Sequence, residues 1–141
     1  MPENENPLTS LEAYELFIYS LPDRFPSIRF STLILVRHGV YTASVEGGVC
    51  FEGGIVLSVI EEIDFTIPAI QRYSYQVERD GHRLYWYDPW PHPADPTLAS
   101  THPHHKHIHP DIKHHRIPAP GLRFDRPNLP LIITEIQRNL L

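Results

Sequence analysis

Ten histidines stand among 141 residues, and six of them are His92 and the members of the run His102-Pro103-His104-His105-Lys106-His107-Ile108-His109. Imidazole changes charge near neutral pH, so such a cluster suits proton transfer or metal binding. Pro103 and Pro110 oppose a helix through the run. If it is extended, His105, His107 and His109 share one face at a spacing of about 6.5–7 Å, with His104 and Lys106 on the other. One chemistry is metal-free RNA cleavage: one His takes the proton of a ribose 2′-OH, another protonates the leaving 5′-oxygen, and Lys106 with Arg83 balances charge growing on the phosphate. DNA has no 2′-OH and is excluded as substrate for that reaction.

The same residues support other readings. His105 and His107, with His92 or Asp88, have the types and spacing to ligate zinc or another divalent transition metal. Lys106 inside the run opposes a closed metal site, because an ammonium beside a dication is repelled. A solvated His-rich loop that picks up metal adventitiously is the bland alternative. Asp88, at a strand end before Pro89, is expected to orient a histidine through its second ring nitrogen, or else to cap the turn. A non-enzymatic module whose basic loop captures an acidic peptide is a third class.

These side chains need a scaffold, and the flanking sequence supplies a sheet. Gln71 to Glu78 alternates around Tyr73, Tyr75 and Val77, Asp80-Gly81 centres a tight turn, and Arg83 to Tyr87 returns, which is a hairpin. Strict alternation places Arg83, Tyr85 and Tyr87 on one face and Leu84 and Trp86 on the other. The sheet then has an apolar face under helices and an open face of phenols and guanidinium leading to His92; cross-strand stabilisation is the alternative role of those aromatics. Ile28–Val36 and Val40–Val45 read as a second hairpin about His38-Gly39, and the β-branched run Ile55–Phe65 as a strand. Gly47-Gly48 and Gly53-Gly54 are turn residues, since no Lys-Ser or Lys-Thr follows to make a phosphate loop.

Met1–Pro7 is expected to fray. A helix follows, capped by Thr9 or Ser10 and stopped at Pro22, and a last helix starts near Asn128 and Pro130. Between them, residues 110–127 read as a Pro-rich basic loop, His114-His115-Arg116 included. The fold class is α+β: one domain, residues 1–141, with an antiparallel sheet of about five strands and the N- and C-terminal helices on one face.

The order Tyr87-Asp88, Pro91-His92, ten further residues and then Pro103-His104-His105-Lys106-His107, with Tyr73, Tyr75 and Arg83 upstream, resembles the TumE family of toxins from toxin-antitoxin pairs. The resemblance spans roughly Phe51 to His109, and the chain departs from the family pattern at Trp90 and at His114-His115-Arg116. It implies the toxin of a type II pair with a cognate antitoxin as partner, and, by analogy with small toxins of such pairs, a metal-independent endoribonuclease. His92, His104, His105, Lys106, His107, Arg83, Asp88 and Tyr87 are then the expected catalytic set. Arg72, Tyr73, Tyr75, Lys113 and Arg116 are the expected contacts to RNA. No cofactor is required in that reading; the alternative is zinc or another divalent metal on His105, His107 and His92.

Charge and cysteine content narrow the setting. The net charge of −5 is uneven: residues 1–23 hold Glu3, Glu5, Glu12, Glu15 and Asp23 without Lys or Arg, whereas residues 101–126 hold five basic residues against two Asp. A basic end on an acidic body can face phosphate or an acidic partner. The single Cys50 forms no internal disulfide, and no leader or long apolar run is seen, so a cytoplasmic protein without a membrane partner is expected. A homodimer is left open.

Overall fold

The structure is a computed structural model and describes residues 5–141. The expected frayed start therefore lies, for Met1–Asn4, outside the described residues; Asn6 already accepts from the Leu8 N–H and Leu8 is buried.

Among the described residues eight strands, not about five, form one antiparallel sheet: β1 Phe30–Ser31, β2 Ile34–Arg37, β3 Thr42–Cys50, β4 Ile55–Asp64, β5 Ala69–Arg79, β6 His82–Asp88, β7 His105–Ile108 and β8 Arg116–Pro118. The order is β1-β3-β4-β5-β6-β7-β8, with β2 also paired to β3. The extra strands have clear origins. The expected first strand is split in two where the backbone of Thr32 and Leu33 crosses Gly47; a Cβ on Gly47 would stand 2.5 Å from the Thr32 carbonyl oxygen, and its φ of +136° also favours glycine. Gly47 and Gly48 lie inside β3 instead of ending it. Strands β7 and β8, four and three residues long, are too short to show a period.

Helix placement also departs from expectation. Ser10 caps α1 (Leu11–Tyr19) through the Ala13 N–H, but Pro22 ends nothing: it sits in the first turn of a further short helix, α2 (Leu21–Arg24). Helix α3 (Leu129–Leu140) has Asn128 at its N-cap position without a side-chain cap, because that amide is used elsewhere. Asn128 accepts from the Arg123 N–H and donates to the Arg123 carbonyl and the Tyr75 hydroxyl. No helix among the described residues is long and apolar enough to cross a membrane.

The buried face of the sheet is the phenolic one. Leu57, Val59, Glu61 and Ile63 of β4, Tyr73, Tyr75 and Val77 of β5, and Tyr85 and Tyr87 of β6 are all buried. Tyr14 of α1 and Tyr75 both donate to the carboxylate of Glu61, and Tyr87 donates to Glu135 of α3. The open face of phenols expected from alternation is thus overturned: these hydroxyls are the polar anchors by which helices hold the sheet. Glu61, with no exposed surface, keeps its proton to higher pH than an ordinary glutamate because burial penalises its charge, although both hydroxyl bonds pull the other way.

Candidate functional site

Strands β6 and β7 place the chemistry. Their register sets His107 opposite Trp86 and His105 opposite Asp88, so both histidines lie on the face away from Tyr85, Tyr87 and Lys106. Both are buried, at 1% and 5% exposure, which separates them from the solvated loop considered above. The His107 ring stacks on Trp86 with centroids 3.9 Å apart.

Each imidazole is oriented by a backbone carbonyl. His105 Nδ1 is 3.1 Å from the Pro103 oxygen and His107 Nδ1 is 3.1 Å from the Ile112 oxygen. A carbonyl only accepts, so both Nδ1 atoms carry protons and both Nε2 atoms point inward. Those two Nε2 atoms are 3.1 Å apart, and the Asp88 carboxylate reaches them at 3.0 Å (Oδ1 to His105) and 3.1 Å (Oδ2 to His107). Asp88 thus meets the two converging Nε2 nitrogens, while the other ring nitrogens are held by backbone carbonyls.

Asp88 is itself held by the Trp86 Nε1–H on Oδ2 at 3.0 Å and the Trp90 backbone N–H on Oδ1 at 2.9 Å. Burial alone would raise its pKa, but hydrogen bonds from His105, the Trp90 N–H and Trp86 outweigh that and keep it ionised far below the usual carboxylate range. His107 is pushed the other way from His⁺: desolvation lowers its pKa, against the pull of Asp88. Trp86 and Trp90 were not read from the sequence as parts of a site; a tryptophan on each side of Asp88 was the available signal.

Other predicted members scatter. Lys106 projects to the opposite face, 3.1 Å from Glu135, and Tyr87 donates to the same carboxylate, so neither reaches the cluster. Tyr75 is engaged with Glu61. His104 meets the Tyr73 hydroxyl through Nδ1 at 2.6 Å and packs against Phe124, at the rim and apart from the His105/His107 pair. Burial raises the pKa values of Tyr73 and Tyr87 far above their usual range, which removes them as proton carriers at neutral pH.

Arg83 does come near, for a reason alternation hides. A bulge leaves Leu84 unpaired between Val77↔Tyr85 and Glu78↔Arg83, and the Arg83 guanidinium lies 4.5 Å over the Trp86 ring. Arg116, read as loop, is the β8 partner of His107, and its Nη1 donates to His92 Nδ1 at 3.1 Å. His92 stands edge-on to His105 with centroids 4.9 Å apart. It is a neighbour of the His105–His107–Asp88 group, not a member. Lys113 is exposed, and His109 is turned to the Arg83 carbonyl.

Beside the cluster opens a cleft of about 640 Å³ walled by Arg72, Tyr73, Asp88, Trp90, Pro91 and Phe124. Its aromatic walls and one arginine offer stacking surfaces and a charge next to the Asp88 carboxylate. A family model described as Toxin TumE matches residues 21–140. No curated protein and no solved structure matches the chain.

Proposed function

The chain belongs to the TumE toxin family, and on that premise we propose that it is a toxin that cleaves RNA at the Asp88–His105–His107 centre. The observation that carries the reading is this oriented trio, two buried imidazoles and a partly exposed carboxylate, opening beside an aromatic cleft. The substrate's 2′-oxygen bonds to phosphorus as the bond from phosphorus to the 5′-oxygen breaks. The 2′-OH proton passes to the centre, and a proton is delivered to the departing 5′-oxygen, leaving a 2′,3′-cyclic phosphate.

The trio acts as one unit in this scheme. A base and an acid on opposite sides of an in-line phosphate each need to be about 2.6–3.2 Å from their own oxygen. Two nitrogens 3.1 Å apart cannot flank it. His105 and His107 therefore do not divide the roles of base and acid between them in this scheme, and Lys106, on the other face and bound to Glu135, leaves charge stabilisation to other groups. His92, whose Nδ1 accepts from Arg116 and whose proton is thus on Nε2, is the neighbouring imidazole on the same side. Arg83 and Arg116 supply positive charge to the phosphate, while Trp90 and Phe124 stack bases.

A toxin of this kind needs a neutralising antitoxin, and co-expression with it should raise yield and melting temperature by mass action. The test of the RNA reading is induction of the chain alone, with total RNA examined beside growth. Asp88→Asn and His105→Ala should spare both. Growth arrest with intact RNA would remove the ribonuclease reading and leave the toxin assignment standing.

A further inference from the structure

We propose that Asp88, His105 and His107 form a three-ligand site for a divalent transition-metal ion of the zinc class, with one coordination position left for water or substrate. The ligand atoms converge. The two Nε2 atoms are 3.1 Å apart, and Asp88 spans them, Oδ1 3.0 Å from His105 and Oδ2 3.1 Å from His107, so one ligand atom from each residue falls within 4.8 Å of the others. Ligands at about 2.0–2.1 Å from a tetrahedral zinc stand about 3.3–3.4 Å from one another, so each of these contacts needs only a few tenths of an ångström of expansion to admit the ion.

The surroundings fit a cation as well. Both Nδ1 protons are fixed on backbone carbonyls, so the two Nε2 atoms and the carboxylate converge on one positive charge, a shared proton in the metal-free chain and the ion when it is bound. Without positive charge between them, three electron-rich groups repel at contact distance. Carbonyl bonds on the far ring nitrogen and donors to a carboxylate ligand, here Trp86 and Trp90, are the outer partners that orient metal ligands. Two imidazoles select against magnesium and calcium, which take oxygen ligands. Lys106, the residue that argued against a metal from sequence, is on the other face and bound to Glu135.

As the activating group of the toxin, this ion rests on the RNA-cleavage reading: a bound water, made acidic by the metal, loses a proton to solvent and its hydroxide takes the 2′-OH proton. As a binding site it does not depend on that reading, and the experiment reads binding alone. The full chain, purified without a polyhistidine tag and stripped with EDTA, is titrated with zinc chloride by calorimetry. One equivalent should bind, weakened by more than about 100-fold in Asp88→Asn and in the His105→Ala/His107→Ala pair. The His114→Ala/His115→Ala pair should bind as wild type.

A second measurement needs no variant. In imidazole ¹⁵N spectra of the wild-type chain, two of the ten histidines, both protonated on Nδ1, should shift at one equivalent of zinc. Absence of stoichiometric binding, binding undiminished in Asp88→Asn, or shifts spread over the other histidines would overturn the site; the last would mark adventitious capture by the surface run.

Discussion

Lys106 Nζ lies 3.1 Å from Glu135 Oε1 and 4.0 Å from the centre of the Tyr85 ring, on the face of β7 opposite His105 and His107. The residue thus ties β7 to α3 and points away from the imidazoles one residue away on either side. Lys106→Met should lower unfolding free energy by about 1 kcal/mol, the scale of a partly exposed ion pair with an aromatic contact. RNA cleavage by the folded variant should be unchanged. Urea denaturation and an activity assay check the two parts separately, and lost activity at unchanged stability would return Lys106 to the site.

How far the site was legible follows from the same strand. The sequence places His105 and His107 on one face and Lys106 on the other, because period two is intrinsic to an extended chain. What it does not give is the partner strand. Asp88 meets both imidazoles only because β7 pairs with β6 in the register Asp88↔His105, a contact across the sixteen residues of loop and short helix between them. The 71–87 hairpin was readable because Asp80 and Gly81 both take positive φ, as their types favour. Arg83 was misfaced because a bulge is silent in the pattern, and Arg116, named as an RNA contact, was read as loop because three residues of β8 show no periodicity. Nothing local marks Glu61 of β4 as buried beneath two hydroxyls.

Glu61 predicts a pH effect. The folded chain holds its proton to higher pH than the unfolded chain, so its contribution to stability is fully present below the unfolded pKa of about 4.3 and is lost as pH rises through the folded value. Gln fits the same hydroxyl partners without ionising. The melting temperature of Glu61→Gln relative to wild type should therefore climb as pH goes from 4 to 8. Comparing variant with wild type cancels Asp88, whose contribution runs in the opposite direction and is lost on acidification. A difference independent of pH would mean that Glu61 titrates as it does in the unfolded chain.

Trp86 joins the fold to the centre: its indole N–H holds Asp88 Oδ2 while its ring carries His107. Trp86→Phe keeps an aromatic stack and removes the donor. Stability should fall by about 1 kcal/mol, the value of one hydrogen bond. Zinc affinity should fall about tenfold, the lower end for loss of an outer partner of a ligand. The calorimetric titration gives the second figure and thermal unfolding the first, and equal zinc affinity in the two proteins would show that Asp88 is positioned by Trp90 alone.

Trp90 separates binding from chemistry. Its side chain is 69% exposed and walls the cleft, while its backbone N–H, which any residue would retain, secures Asp88 Oδ1. An exposed indole contributes little to folding, so Trp90→Ala should change stability by no more than about 0.5 kcal/mol. Loss of one stacked base should weaken RNA binding by about 1–3 kcal/mol, roughly five- to 150-fold. A fluorescent 2′-O-methyl oligonucleotide, which lacks the attacking hydroxyl and cannot be cleaved, reports that affinity by anisotropy with wild type and variant. An unchanged Kd in a normally folded Trp90→Ala protein would remove the cleft from the RNA path.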